Sequence, residues 1–208
     1  MTGSNGLMGS EPPLERWLAV QRARIAWQYL PASVRTGRIL DIGCGRAAWF
    51  LDRIDAVEKE GLDQLCESRE HITVRNGTAH RMRLQAFDVT QHDPLPFDEA
   101  WFDAVVALAV LEHIPRSSVL VLLREISRVL KPGGRCILTT PARGTETLLH
   151  GLAWLSFLDH DLVGQHHRHF TLGELRALCC EAGFPDEGIR QGRFEFGMNL
   201  WTVVSRAP

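Results

Sequence analysis

The segment Arg38-Ile-Leu-Asp-Ile-Gly43 constrains the fold more than any other stretch of the chain. It is a short, largely apolar run closed by a glycine, with residues able to start a helix following at once. A run apolar on both of its alternating faces cannot lie against water, so it reads as a strand buried inside a layered sheet. The same unit recurs downstream. Ala56 to Leu62 forms a second strand ending at Asp63, Arg81 to Phe87 a third stopping at Asp88, Phe102 to Leu108 a fourth, and Arg135 to Thr140 a fifth.

Helical periods fall between these runs. Ala47 to Ile54 can start a helix directly after the first strand. Ser117 to Leu130 carries Val119, Leu123, Ile126 and Leu130 on one stripe. Lys131-Pro-Gly-Gly134 stops it, because proline cannot continue a helix and glycine tolerates the left-handed turn. A later helix starts at Thr171, with Thr171 and Glu174 at capping-box spacing, Phe170 and Leu175 as a staple, and Gly183 at its end. Ahead of the first strand, Leu14 to Leu30 sets Leu14, Trp17, Leu18, Ile25 and Tyr29 on one face, with arginines 16, 22 and 24 mostly elsewhere, and Pro31 ends it. The polar stretch Arg69 to His80 reads as a loop, and Arg190 to Phe196 with Asn199 to Val204 as a closing antiparallel pair. Strands alternating with helices place a parallel sheet between two helical layers. The expected fold is α/β: a Rossmann-like three-layer sandwich around a mostly parallel seven-stranded sheet with a closing antiparallel strand pair.

With 208 residues there is room for one ordinary domain, expected over 13–208 behind a flexible tail at 1–12, with an insertion at about 141–170. The formal net charge of -2 offers no basic excess for a phosphate backbone, which argues against nucleic acid as the main partner. No apolar run approaches the roughly 20 residues of a membrane span. The five cysteines, Cys44, Cys66, Cys136, Cys179 and Cys180, are odd in number and lack CxxC spacing. Reduced thiols in a cytoplasmic protein are the expectation, with no metal. Nothing in the sequence speaks to oligomeric state.

Ligands of parallel α/β sheets bind outside the carboxyl ends of the strands, and the informative residues fall there. Asp41-Ile-Gly-Cys-Gly-Arg-Ala47 spans the first strand-to-helix turn, where Gly43 and Gly45 permit positive φ and close approach of a ligand. Asp63 lies 22 residues after Asp41, the distance at which a second-strand carboxylate can accept both ribose hydroxyls. Asp88 could accept a hydrogen bond from an adenine amino group. Two cofactors compete for this pattern, because Gly43-x-Gly45-x-x-Ala48 also satisfies the dinucleotide fingerprint. Electrostatics favours S-adenosylmethionine. A pyrophosphate disfavours the nearby Asp41 carboxylate, whereas a sulfonium and an ammonium are both attracted by it.

Several blocks also resemble one family. Asp41-Ile-Gly-Cys-Gly45 is similar to motif I of class I S-adenosylmethionine-dependent methyltransferases of the type 11-like, small-molecule kind, and Gly61-Leu-Asp63 to their acidic second-strand motif. Leu95-Pro-Phe97, Phe102-Asp-Ala-Val-Val106 and Leu111-Glu-His-Ile-Pro115 resemble the fourth-strand block. Glu125-Ile-Ser-Arg-Val-Leu-Lys-Pro-Gly-Gly134 resembles the helix and turn before the fifth strand, and Phe170-Thr-Leu-Gly-Glu-Leu175 with Ala182-Gly-Phe184 the late helix. The likeness implies that Asp41, Gly43 and Gly45 hold the methionine end, Asp63 the ribose, and Asp88 with Val89 the adenine. It implies that Ala107 and Leu108, just after the fourth strand, line the donor pocket. Ala47 stands where the family often has a third glycine, with altered packing as the expected result.

Methyl transfer is an in-line displacement on an activated carbon, so a base is needed only when the acceptor must lose a proton. His113, after the fourth strand, and His166, His167 and His169, before the late helix, are the candidates. Each is equally readable as a hydrogen-bonded or solvated residue. The insertion carries Leu148, Leu149, Leu152, Trp154, Leu155, Phe157 and Leu158, which would suit a hydrophobic or aromatic acceptor or simply pack on the sheet or a second subunit. The expected function is S-adenosylmethionine-dependent methyl transfer to a small molecule, at oxygen. A NAD-binding oxidoreductase and a non-catalytic cofactor-binding module are the competing readings.

Overall fold

Strand β1 (Arg38–Ile42) is buried along nearly its whole length, and its neighbours in sequence divide between two cores. Leu40 and Ile42 pack into one core, and Ile39 into the other. Val105 and Ala107 against Ala104 and Val106, and Leu138 against Ile137, divide in the same way. This period of two requires cover on both faces of the sheet. The computed structural model describes residues 13–75, 77–91, 94–143 and 169–208. In chain order these form α1 (Pro13–Tyr29), β1, α2 (Trp49–Asp52), β2 (Glu58–Asp63), β3 (Arg69–Arg75), β4 (Thr78–Ala86), β5 (Phe102–Leu108), α3 (Arg116–Val129), β6 (Leu130–Pro141), α4 (Leu172–Glu181), β7 (Arg190–Phe194) and β8 (Asn199–Ser205). Helices α3 and α4 contribute Leu123, Ile126, Leu175 and Cys179 to one core. Helices α1 and α2 contribute Ala23, Ala26, Phe50 and Leu51 to the other. The three-layer α/β sandwich is therefore present.

The strands form one sheet in the order β3-β4-β2-β1-β5-β6-β8-β7. From β4 to β6 every pairing is parallel, while β3, β8 and β7 are antiparallel to their neighbours. The chain leaves β1 toward β2 on one side and returns at β5 on the other, so the order reverses between β1 and β5. That is where such sheets bind ligands.

Three expectations change. Among the described residues the sheet has eight strands, because Arg69 to His80 is not a loop: β3 runs antiparallel to β4, with Arg75 opposite Thr78. Its polar composition hides it, but Asn76-Gly77 is a two-residue hairpin signal, and Gly77 has φ +78. Helix α2 is a single turn, since Ala48 before it is left-handed at φ 47 and ends any earlier start. Strand β6 begins at Leu130, where Lys131-Pro-Gly-Gly134 makes a register break opposite Phe102 and Ala104. The capping box at Thr171 forms as expected, with Thr171 Oγ1 accepting from the Glu174 amide at 3.2 Å.

Helix α1 is tied to β8 and β6. The Tyr29 ring stacks on Trp201 at 4.7 Å between centroids, and Arg135 Nη1 donates to the Tyr29 carbonyl at 3.1 Å. No helix among the described residues is long and apolar enough to cross a membrane.

Candidate active site

The turn after β1 is shaped by its backbone. The Gly43 amide donates to the Leu62 carbonyl at 2.7 Å, folding the turn back onto β2. Gly43 and Gly45 both take positive φ, +75 and +67. They differ in what surrounds them. A Cβ on Gly43 would stand 2.4 Å from Val110 Cγ2, whereas one on Gly45 would meet nothing within 4 Å. Gly43 is thus required by packing, and Gly45 faces open space.

That space is a cavity of about 400 Å³, lined by Asp41, Gly43, Gly45, Arg22, Trp49 and Leu108 among others. A second cavity of about 370 Å³ is lined by Gly43, Asp63, Asp88, Val89, Val110 and His113 among others. Both include Gly43 and Leu65, so they are two halves of one cleft along the carboxyl edge of β4, β2, β1 and β5.

Asp41 is 3% exposed, and burial together with the nearby Asp63 carboxylate raises its carboxyl well above the ordinary 3.8. A cation in the cleft would relieve that cost. Asp63 joins the two halves: its Oδ2 accepts from the Gly45 amide at 2.9 Å and its Oδ1 from the Leu65 amide at 2.7 Å. A carboxylate has about four lone-pair sites, so acceptor capacity is left for a ligand. Asp88 accepts from the Thr90 amide at 2.9 Å, the Thr90 hydroxyl at 2.7 Å and Gln91 Nε2 at 3.0 Å. The Thr90 hydrogen bonds hold the Asp88 carboxyl below its usual range, so it is ionised near neutral pH. Much of this carboxylate is committed to its own turn.

Ala107 and Leu108 lie inside β5, not after it. Ala107 is fully buried in the core and lines neither half of the cleft, while Leu108 lines the Asp41 half. The corner after β5, which lines the Asp63 half, is made by Ala109, left-handed at φ 59, and the buried Val110. Of the four histidines, His113 is exposed and lines the Asp63 half. His169 is half-buried beside Phe170, which bridges to Ala142 at the end of β6. His166, His167 and the apolar insertion residues lie outside the described residues. No group of three or more potential metal ligands occurs among the described residues.

Arg22 was placed off the apolar face of α1, yet it lines the Asp41 half of the cleft. Its signal was present, since Arg22 falls at helical spacing between Leu18, Ile25 and Tyr29. Glu112 was also missed. It is 3% exposed and accepts from Thr140 Oγ1 at 3.1 Å, joining the corner after β5 to the end of β6.

The fold is Rossmann-like, with a cleft at the carboxyl edge of its sheet where proteins of this architecture bind ligands. The model of the Methyltransferase domain family matches residues 15–187, and the chain belongs to this family of class I S-adenosylmethionine-dependent methyltransferases. It is similar to the ubiquinone biosynthesis O-methyltransferase of Bordetella avium, with 26% identity over 180 residues covering 83% of this chain and 72% of that one. A probable S-adenosylmethionine-dependent methyltransferase of Mycobacterium tuberculosis is 28% identical over 173 residues, covering 80% of this chain and 55% of that one. Among solved structures, an S-adenosylmethionine-dependent methyltransferase from Mesorhizobium loti superposes with a TM-score of 0.60 at 16% identity, covering 91% of this chain and 100% of that one. One from Methanosarcina mazei gives 0.57 at 19% identity, covering 88% and 97%. These structures show the shared fold. The family decides between the two cofactors: the chain is an enzyme that uses S-adenosylmethionine.

Proposed function

We propose that the chain transfers a methyl group from S-adenosylmethionine to an oxygen of a small, largely apolar molecule. The observation that carries this reading is the two-part cleft, which pairs a buried carboxyl and an open glycine turn with an acidic nucleoside-sized half. In this reading Asp63 takes the ribose hydroxyls, and Asp88 and Val89 border the adenine. Asp41, Gly43 and Gly45 hold the methionine end beside Leu108, with Ala107 packing behind. The bound donor supplies a methyl carbon already activated by its sulfonium. The chain aligns the acceptor with that carbon and keeps water away. Oxygen as the receiving atom is supported by the similar proteins named ubiquinone biosynthesis O-methyltransferases. Titration with S-adenosylhomocysteine and with NAD, then turnover on hydroxyl and amine compounds, tests the reading. Saturation by S-adenosylhomocysteine with transfer to hydroxyls supports it; transfer only to amines overturns it.

Asp41 yields a prediction with a definite sign. Its raised carboxyl binds a proton in the folded state that an unfolded aspartate, at 3.8, has lost. Its contribution to stability is therefore lost as pH climbs from 3.8 to the raised value. Above that window Asp41→Asn should raise the melting temperature of the ligand-free protein. The same variant should bind S-adenosylhomocysteine more weakly, because the ammonium loses its counter-charge. Within the window, where the folded carboxyl still holds its proton, binding to the parent should release it, seen as a dependence of the calorimetric heat on buffer ionisation enthalpy. A melting temperature lowered by the substitution would count against this account.

At least one of His166, His167 and His169, or failing them His113, is proposed to contact the acceptor or take its proton. Alanine at that position should lower turnover roughly ten-fold or more with cofactor affinity unchanged. Full turnover in all four variants would leave these histidines as solvated or packing residues.

A further inference from the structure

Buried polar side-chain atoms nearly always find a hydrogen-bond partner, and each exception asks for a reason. Among the described residues such exceptions include Nε of Arg22, Oε1 of Glu195 and Oδ1 of Asn199. Arg22 comes from α1 and lines the Asp41 half of the cleft. Glu195 and Asn199 flank the turn from β7 to β8, where Asn199 Nδ2 donates to Glu195 Oε2. The Arg22 charge acts on the Glu195 carboxyl, which burial pushes upward more strongly than Arg22 pulls it down.

The turn lies at the cleft's edge of the sheet. Asn199 is 5% exposed and pairs with Pro141 at the end of β6, and the Ala142 amide donates to the Met198 carbonyl at 2.7 Å. Its backbone is strained. Glu195 and Phe196 are both left-handed, at φ 53 and 56, ahead of Gly197 at φ 86. Non-glycine residues are disfavoured there, and such strain concentrates where function needs a fixed geometry. The result is a Glu195 carboxyl oxygen turned out of water beside a Phe196 side chain left wholly exposed.

One N–H donor and two oxygen acceptors have a simple complement. A hydroxyl oxygen can accept from Arg22 Nε while its proton is donated to Glu195 or Asn199. An ether has no proton to give, and an ammonium has no lone pair to offer Arg22. We propose that Arg22, Glu195 and Asn199 form the subsite for the acceptor's hydroxyl, with Glu195 receiving its proton. This rests on the oxygen-methylation reading. As the hydroxyl oxygen bonds to the methyl carbon, the carbon–sulfur bond breaks and its electron pair stays on sulfur, neutralising the sulfonium. The hydroxyl proton passes to Glu195 Oε1 and leaves to solvent after the product departs. Arg22 fixes the oxygen and Asn199 positions the carboxylate.

Catechol and its dimethyl ether, titrated into the whole chain saturated with S-adenosylhomocysteine, give a readout independent of turnover. Catechol should bind at least about ten-fold tighter than the ether, the loss expected when buried acceptors go unpaired. Glu195→Gln should remove that preference and leave S-adenosylhomocysteine affinity unchanged. With catechol as acceptor, Glu195→Gln should lower kcat by roughly 100-fold and erase the fall in kcat at low pH, while Glu195→Asp keeps that fall. Equal wild-type affinity for catechol and ether, or binding of neither, overturns the subsite. So does an unimpaired Glu195→Gln enzyme in a chain that methylates hydroxyls, which leaves the oxygen-methylation reading standing. Transfer to amines alone removes that reading, and the subsite with it.

Discussion

Gly45→Val is expected to abolish binding of S-adenosylhomocysteine and leave the sheet folded. The substitution separates binding from folding because a Cβ at Gly45 meets nothing within 4 Å in the ligand-free molecule. The branched side chain would instead project into the cavity shared with Asp41 and Arg22. The φ of +67 adds about 1–2 kcal/mol of backbone strain, which should lower the melting temperature modestly. Neighbouring glycines would not separate the effects. A Cβ on Gly61 would press within 2.6 Å of Leu84 and 2.8 Å of Cys44, and one on Gly43 within 2.4 Å of Val110. Circular dichroism and calorimetry on the Gly45 variant decide the matter: a native spectrum with a dissociation constant raised roughly 100-fold or more is expected. Retained binding would reduce the glycine turn to a structural device.

Asp63→Ala should weaken S-adenosylhomocysteine by about 2 kcal/mol or more, in line with loss of charge-assisted hydrogen bonds. Two causes are combined in that figure. The carboxylate holds the Gly45 and Leu65 amides, and in the proposed pose it also meets the ribose. A ligand lacking its ribose hydroxyls tells them apart. Removing the hydroxyls should cost the parent protein heavily and the alanine variant little, the signature of a direct contact in a double-mutant cycle. Equal costs in both proteins would assign Asp63 to the loops alone. An unchanged dissociation constant would remove it from the site.

What the sequence disclosed follows from how local each signal is. Strands buried on both faces, such as Arg38 to Ile42, advertise themselves by apolar runs, and the capping box at Thr171 by two residues three apart. The edge strand β3 hid because exposed edges carry polar residues, and its Ile72 and Val74 are themselves exposed. Ala107 and Leu108 were placed one step late, since strand ends are the least certain boundary and Ala109, not a glycine, turns the corner. Arg22 lies far along the chain from Glu195 and Asn199, and the antiparallel return of β8 places the last two at the carboxyl edge of the sheet. Nothing local marks such a meeting.

The position of α1 has a kinetic consequence. This helix is synthesised before every strand it packs on; its Trp27 meets Trp49 and Phe50 nearby in sequence, but Tyr29 is anchored far along the chain, by Arg135, 106 residues later, and by Trp201. Closing so long a loop is entropically costly and comes after the local hairpins and crossovers have formed. The Tyr29 end of the helix that carries Arg22 is therefore expected to lock only once β6 and β8 are in place. A ligand bound in the cavity that Arg22 lines should by mass action hold this helix in place.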